Sequence, residues 1–576
     1  MDRRSVIRQL FLSKPSDYIG MRESECSESP DEINVRAIVN SVPNPYNRAS
    51  IWSDLGRNLG LFAKSALTSN PEAYGNLGAE TIGRSGNYQV VRIGRRTFAI
   101  GAGVAGAIAA GAVAYYLVPG FRNLVNGIID KSPPSIKDLK WEPTRVVNSK
   151  VYDGKVSFVA EDWLSDISEA YIDFVPVYPP EIPTEAFPAE DPRSFTLRPN
   201  EMPSKTASFS QAITSLKGGK GYQVKVRAKD TAGNVSKNVK DASGKESGSL
   251  SIDYVREFEN IATNSGINIG AWYYPWYKPE KWKTNPQPPK GTPLLGLYNS
   301  QNPLIQSKHI DWATGHGIGF WLASWFGPED QRALQLFSSP LINDIRIGIL
   351  YDDILKPDDE GRFNLDDETN QKALTNHIDY LAQTFFSLPQ YWKINGRPGI
   401  YFYYSRSFYG NLENMFGQVR DISQDYGHKI FIMGDEMGDE LYWDLPSEWP
   451  SERLKLYDGI TSYLMIPNKK REAEVTNDNY EDILGQFFDA WLKSSKSLGF
   501  KFIPFATPGF HVVDDPKNLV RDISKFKKRL RVAKEYMDPE LKMIIISTFN
   551  EWYEDTYVEP SPKEGFAYLQ SIKETL

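Results

Sequence analysis

The stretch TFNEWYEDTYVEP, Thr548 to Pro560, gathers Glu551, Glu554 and Asp555 within five positions, and an isoleucine run precedes it. Two carboxyls three residues apart can sit close enough to perturb each other's protonation. A pair held in different environments divides the work of giving and taking a proton. Glycosidic bond cleavage asks for that division: one group protonates the departing oxygen while the other assists at the anomeric side. Acidic side chains after a strand also cap helices or sit solvated in loops, so the element that carries them decides between the readings.

That element is the last of eight apolar, β-branched or aromatic runs in the C-terminal 320 or so residues: INIGAWYY, IGFWLASW, IRIGILYDD, PGIYFYYS, KIFIMGDE, DGITSYLM, KFIPFATPG and MIIISTFNEW. Between several of them lie DETNQKALTNHIDYLAQTFFS, NYEDILGQFFDAWLKSS and PKNLVRDISKFKKRLRVAKEYM, whose apolar residues recur at three and four. Strands alternating with helices imply parallel βαβ units, and eight units predict a closed (β/α)8 TIM-type barrel over residues 262–576. Near-continuous apolar strands suit a sheet buried on both faces. In such barrels the chemistry sits at the carboxyl ends of the strands. Those ends offer Tyr273, Tyr274, Trp276, Trp325, Asp352, Tyr404, Tyr463, His511, Asn550, Trp552 and Tyr553 as substrate-binding candidates around the Glu551 and Glu554 pair. The fifth run also ends in Asp435 and Glu436. No Gly-rich phosphate cradle, serine elbow or HExxH accompanies them.

Upstream, KVSFVAED, AYIDFVPVY, ASFSQAIT and YQVKVRAKDTAGNVS alternate with period two and are broken by Pro, Gly and Asn turns. This predicts an all-β sandwich over residues 132–255, with an ending that resembles immunoglobulin-like or fibronectin type III modules. Such modules serve as spacers or sugar-binding accessories. The Asn234-Val235-Ser236 sequon within it is a glycosylation acceptor where the host has the machinery.

Thr97 to Phe121 runs 25 residues without a charge, long enough to cross a bilayer core of about 30 Å at about 1.5 Å per residue. Arg92, Arg95 and Arg96 precede it and only Arg122 follows closely. The positive-inside bias then keeps residues 1–96 cytoplasmic, as a partly disordered segment, and places the rest outside as a single-pass type II protein. The alternative is export by a twin-arginine-like signal at RRTFAIGAG. The net charge of −7 removes the basic field that nucleic-acid binding needs. One cysteine, Cys26, excludes an intrachain disulfide or a thiolate cluster, and the lack of disulfides in a large exported region fits a prokaryotic surface protein. Aromatic residues at 13% supply rings with a stacking face and a polar edge, which suit sugars.

GAWYYPWY, HIDWATGHGIGFWLASWFG, GRPGIYFYYS, YDGITSY and STFNEWYEDTYVEP, in that order, resemble the catalytic domain of glycoside hydrolase family 99 (GH99), the endo-α-1,2-mannosidases and endo-α-1,2-mannanases. The likeness covers about Asn268 to Leu576. Its most specific part is the final motif, which reads Asn-Glu-Trp-His-Glu-Gly-Thr in the family and ends in Glu-Pro. The resemblance implies that the two functional carboxylates are Glu551 and Glu554. Glu551 would draw a proton from a sugar 2-hydroxyl so that this oxygen attacks the anomeric carbon and forms a 1,2-anhydro sugar. Glu554 would protonate the leaving oxygen and later activate water. Configuration would be retained and no metal or other cofactor is required. Tyr273, Trp276, Trp325 and Tyr463 would line the subsites. The sequence departs from the motif at Tyr553 in place of His and Asp555 in place of Gly, and ILYDD offers short Asp side chains where the family carries its third-strand carboxylate motif. Asp555 is expected to place a like charge beside Glu554. The expectation is therefore a membrane-anchored, outward-facing, endo-acting retaining glycosidase cleaving α-mannoside-type glycans. The alternative is a surface glycan-binding or polysaccharide-remodelling barrel without mannosidase activity.

Overall fold

The computed structural model describes residues 80–85, 88–92 and 130–576, except 148–149, 178–190, 201–203, 239–245, 263–265, 285–288, 353, 439–442, 468–474 and 512–517. Glu80–Ser85 and Tyr88–Arg92 pair as an antiparallel hairpin. The expected membrane span over 97–121 and most of the segment before it lie outside the described residues, and among the described residues no helix is long and apolar enough to cross a bilayer.

Eight parallel strands form the C-terminal half. They are β1 (Asn268–Tyr273), β2 (Ile318–Trp325), β3 (Arg346–Tyr351), β4 (Arg397–Phe402), β5 (Phe431–Asp435), β6 (Gly459–Thr461), β7 in two pieces (Lys501–Phe502 and Phe505–Ala506) and β8 (Met543–Ile546). Each pairs in parallel with the next, and β8 pairs back onto β1 through Ile269 opposite Ile544. The ring therefore closes. It bends at β7, where Pro504 lacks an N–H to donate: the first piece pairs with β6 and the second with β8. All eight apolar runs of the sequence are barrel strands. Their side chains are almost continuously buried, as burial on both faces requires.

A helix follows each strand: α1 (Pro303–Thr314), α2 (Gln331–Leu334), α3 (Glu368–Thr384), α4 (Leu412–Asp425), α5 (Ser451–Leu454), α6 (Tyr480–Leu498), α7 (Ile523–Glu535) and α8 (Ala567–Thr575). Side-chain acceptors on Asn302, Asp330, Asp367, Asn411 and Asp522 cap five of them, satisfying backbone donors that a helix start leaves open. The Asp522 cap sets the start of α7 at Ile523, well after the PKNLV stretch in which the periodic pattern begins.

Between Ser135 and Val255, seven strands make two antiparallel sheets. One sheet holds Ser135–Val147, Lys150–Glu161 and Thr206–Ile213; the other holds Arg193–Leu197, Ile167–Val177, Lys220–Asp230 and Ser249–Val255. Val156, Phe158 and Phe209 of the first pack with Ile172, Phe174 and Val224 of the second in one core. The alternation of buried and half-buried residues along each strand is the period-two pattern read from sequence.

The two parts are joined around Asp311 of α1, which is fully buried. Its carboxylate accepts from the Tyr254 hydroxyl (2.9 Å), the Glu257 amide and the Phe258 amide (3.0 Å), and it pairs with Arg256 (3.4 Å). Arg256 also donates to Thr314 (2.7 Å) and Asp344 (2.6 Å), while Lys308 reaches Glu257 (2.9 Å) and the Gly219 carbonyl (3.2 Å). Burial pushes Asp311 up to about 6 against the pull of Arg256. Arg256→Ala leaves that carboxyl buried without its cation and is expected to cost about 3–5 kcal/mol. Chemical denaturation of the full chain checks this; unchanged stability would remove Arg256 from its joining role.

Candidate active site

The site is assembled where β8 meets β1. Past β8 the chain turns back on itself: Thr548 N–H donates to the Thr556 carbonyl (2.8 Å) and Val558 N–H to the Thr548 carbonyl (3.0 Å). Phe549 N–H donates to the Trp272 carbonyl (2.8 Å), and the Asn550 side chain accepts from Tyr274 N–H (2.7 Å) and donates to its carbonyl (2.9 Å). Glu551 N–H is held by Thr548 Oγ1 (2.8 Å). The glutamate backbone is thereby fixed to the barrel rim rather than left on a free loop.

Glu551 is 3% exposed. Its Oε1 accepts from the Tyr277 hydroxyl (3.1 Å) and the Tyr553 amide (2.9 Å), while the same Tyr277 oxygen accepts from Trp552 N–H (3.0 Å). Burial raises its proton affinity well above the ordinary value of 4.5; the charges of Glu554 and Asp352 add to the rise, and the two hydrogen bonds oppose it. Glu554 is only half-buried and takes a hydrogen bond on Oε2 from the Tyr463 hydroxyl. Three positions along one loop thus separate a buried carboxyl of raised proton affinity from a more open one held by a phenol. Among the described residues Glu551 belongs to no ion pair.

Around the pair stand Tyr274, Tyr463 and Asp352. The buried Tyr274 hydroxyl feels Asp352, Glu554 and Glu551 at once, which with desolvation pushes its ionisation far up. Asp352 accepts from the Ser324 hydroxyl (2.7 Å). Asp435, at the tip of β5, accepts from Tyr404 N–H (3.2 Å) and Tyr463 N–H (3.3 Å), so it ties the ends of β4 and β6 and sets Tyr463 toward Glu554. Full burial raises Asp435 to about 7. Trp276 lies 4.4 Å from Tyr274, ring to ring, and lines a cleft of about 530 Å³ with Lys278, Lys281, Phe326, Asp330 and Arg332; neither Glu551 nor Glu554 lines it. Tyr404, 36% exposed, stands at the rim in the left-handed region. His511 meets the site through its backbone, donating N–H to the Glu554 carbonyl (2.9 Å).

Several expected sugar contacts are packing residues. Tyr273 stacks on Trp321 at 4.1 Å and bonds His309 (3.1 Å). Trp325 is fully buried among Tyr351, His377 and Tyr380. Trp552 stacks on Tyr557 at 3.6 Å and donates to Glu559 (2.7 Å), and Asn550 is spent on the Tyr274 backbone. Tyr553 is half-buried, and its hydroxyl donates to the Lys281 carbonyl (3.4 Å). Asp555 turns to Arg521 (3.6 Å), so its charge is met by a guanidinium. Glu436 sits in a buried pair with Arg453 (2.8 Å). Asp353 lies outside the described residues. In the sandwich, the Asn234 side chain donates to Asp230 (2.8 Å) and the Asp130 carbonyl (3.2 Å), and Ser236 is buried, so the sequon builds a turn and is closed to a glycan.

Sequence reading missed Tyr277 and a second buried carboxyl, Glu559, which gathers the Tyr298 hydroxyl (2.8 Å), His309 (3.0 Å) and the Trp552 indole. The YYPWY run holds Tyr277, and Glu559 is the acid of the Glu-Pro that ends the motif; both signals were present.

No protein-family model matches the sequence. It is similar to the glycoprotein endo-alpha-1,2-mannosidase of Mus musculus, 23% identical over 290 residues that cover 46% of this chain and 56% of that protein. The chain thus spans little more than half the length of this relative. Among solved structures, the GH99 endo-alpha-mannosidase from Bacteroides thetaiotaomicron is 19% identical with a TM-score of 0.41, over 53% of this chain and 95% of that one. A glycoside hydrolase-like protein is 19% identical with a TM-score of 0.42, over 54% and 93%. About half of the chain is thus similar in sequence to an endo-alpha-1,2-mannosidase.

A carboxyl whose folded-state proton affinity is raised makes the folded protein bind more protons than the unfolded chain, so stability falls as pH rises from about 4.5 through the raised value. Glu551→Gln removes that term. The variant is expected to gain stability relative to the parent progressively as pH rises above about 4.5, read as a pH-dependent difference in melting temperature. A difference that does not change with pH would show that Glu551 ionises freely.

Proposed function

We propose that this protein, whose barrel is GH99-like, is an endo-acting glycoside hydrolase that cleaves α-mannoside-type glycans with retention of configuration. The observation that carries the reading is the unequal pair on the β8 loop: Glu551 buried against Tyr277, and Glu554 half-buried against Tyr463. The sequence likeness to the mouse endo-alpha-1,2-mannosidase supports the substrate class.

The geometry suits unequal roles. A base that must draw a proton from a sugar hydroxyl gains from high proton affinity, and burial beside Glu554 supplies it to Glu551. Removal of the 2-hydroxyl proton lets that oxygen attack the anomeric carbon, while Glu554 gives a proton to the departing glycosidic oxygen. Water then opens the 1,2-anhydro sugar with Glu554 as base, and Glu551 returns its proton. Because Glu551 feels the charge of Glu554, joint ionisation of the two is disfavoured. The reactive microstate has one proton, on Glu554, so activity falls when both groups are protonated and when both are ionised. Trp276 and the adjoining cleft offer a stacking face for a neighbouring sugar ring, which fits cleavage within a chain. We further place the barrel outside the cytoplasm, anchored by Thr97 to Phe121, with a sandwich of immunoglobulin or fibronectin type III kind as spacer.

The test is the purified chain with a panel of α-linked manno-oligosaccharides, following reducing ends and the anomeric form of the first product. Glu551→Gln and Glu554→Gln should each lower kcat by on the order of a hundredfold to ten-thousandfold. On an aryl glycoside whose phenolate leaves without protonation, Glu554→Gln should recover much of its rate and Glu551→Gln should not. Binding without product in the parent would establish the glycan-binding alternative, and full turnover in both variants would remove the pair from the chemistry.

A further inference from the structure

At the end of the sandwich far from the barrel, three buried aspartates converge: Asp130 before the first strand, Asp162 after Lys150–Glu161 and Asp230 at the end of Lys220–Asp230. They are 1%, 5% and 1% exposed, and one carboxylate oxygen from each lies within 4.8 Å of the others. Among the described residues no lysine, arginine or histidine pairs with any of them. Three acids buried together without a countercharge are unfavourable by several kcal/mol.

Their hydrogen bonds show where the missing charge belongs. Asp130 uses Oδ1 for Ser132 N–H (3.0 Å) and Oδ2 for the Ser165 hydroxyl. Asp230 takes Asn234 N–H on Oδ1 (2.8 Å) and the Asn234 side chain on Oδ2 (2.8 Å). Asp162 uses Oδ1 for the Leu164 and Ser165 amides (both 2.7 Å), but its Oδ2, fully enclosed, has no partner at all. The neighbouring Thr231 hydroxyl is likewise buried without a partner. Burial and the charges of Asp130 and Asp230 disfavour the ionised form of Asp162, and the Ser165 and Leu164 amides only partly oppose this.

We propose that Asp130, Asp162 and Asp230 form a calcium site that clamps the incoming chain onto the sandwich. The donors are all hard oxygens, which excludes soft metals, and ligands of calcium at about 2.4 Å lie no more than about 4.8 Å apart, whereas magnesium at about 2.1 Å demands a tighter, regular octahedron. Each ligand comes from a different segment, so an ion there joins the stretch before Ser135, the loop after Glu161 and the DTAGN turn in one cluster.

The test is calcium titration of the chelator-stripped full chain by calorimetry, together with melting curves. One calcium per chain should bind and raise the melting temperature, and magnesium at the same concentration should do neither. Asp162→Asn should lower calcium affinity by about tenfold or more while melting higher than the stripped parent, because it deletes an unpaired buried acid; Asp130→Asn gives a second reading should the first fail to fold. Absence of binding at millimolar calcium, an equal response to magnesium, or undiminished affinity in both variants would overturn the site.

Discussion

The barrel is closed by one seam, the contact of β8 with β1, and the candidate site exists because of it. A parallel sheet cannot leave an edge inside a core without stranding backbone N–H and C=O groups. Closure through Asn268 to Ile546 satisfies them and at the same time brings the two loops that follow β1 and β8 into contact. The polar groups of those loops then satisfy one another: Asn550 takes both backbone groups of Tyr274, and the Tyr277 hydroxyl is shared between Trp552 and Glu551. Closing the fold and orienting a buried carboxyl are here a single hydrogen-bonding problem with one solution.

That solution makes the two glutamates unequal. Glu551 is drawn inward because its backbone is pinned by Thr548 and its side chain by Tyr277, so it loses hydration and gains proton affinity. Glu554, past the turn, keeps partial solvent contact and takes its orientation from Tyr463, itself placed by Asp435 across the mouth. The aromatic layer beneath is packing that excludes water: Trp272, Trp321, Trp325 and Trp552 are all fully buried. Low local polarity strengthens the interaction between the carboxyls, and a stiff support prevents them from relaxing apart.

Much of this was legible because the strongest signals were periodic. The eight barrel strands read directly from apolar runs bounded by polar ends, and Pro504 inside KFIPFATPG marks the place where β7 divides. The sandwich strands announced themselves by alternation. The direction of individual side chains beyond each strand end was not legible, since the period of two is lost once the backbone turns. Tyr273 and Tyr274 are neighbours, yet one packs inward on Trp321 and the other faces the carboxylates. For the same reason the motif alone puts Asp555 beside Glu554, whereas the residue has a positive φ and its carboxylate meets Arg521, 34 positions earlier, which no local pattern connects to it.

The sandwich acquires a mechanical meaning from how its ends are held. The strand Lys220–Asp230 begins beside Gly219, whose carbonyl accepts from Lys308 of the barrel, and it finishes in the aspartate cluster, 11 residues and roughly 35 Å away. At the barrel end the junction is rigid by ion pairing: Arg256 and Asp311 are both buried, and the linker between Val255 and β1 wraps that carboxylate with two of its own amides. A hinge there would expose a buried guanidinium and a buried carboxylate together, which is far costlier than bending a loop. Orientation set at one end of the strand is therefore transmitted to the other, and the aspartate cluster is held in a fixed relation to the barrel.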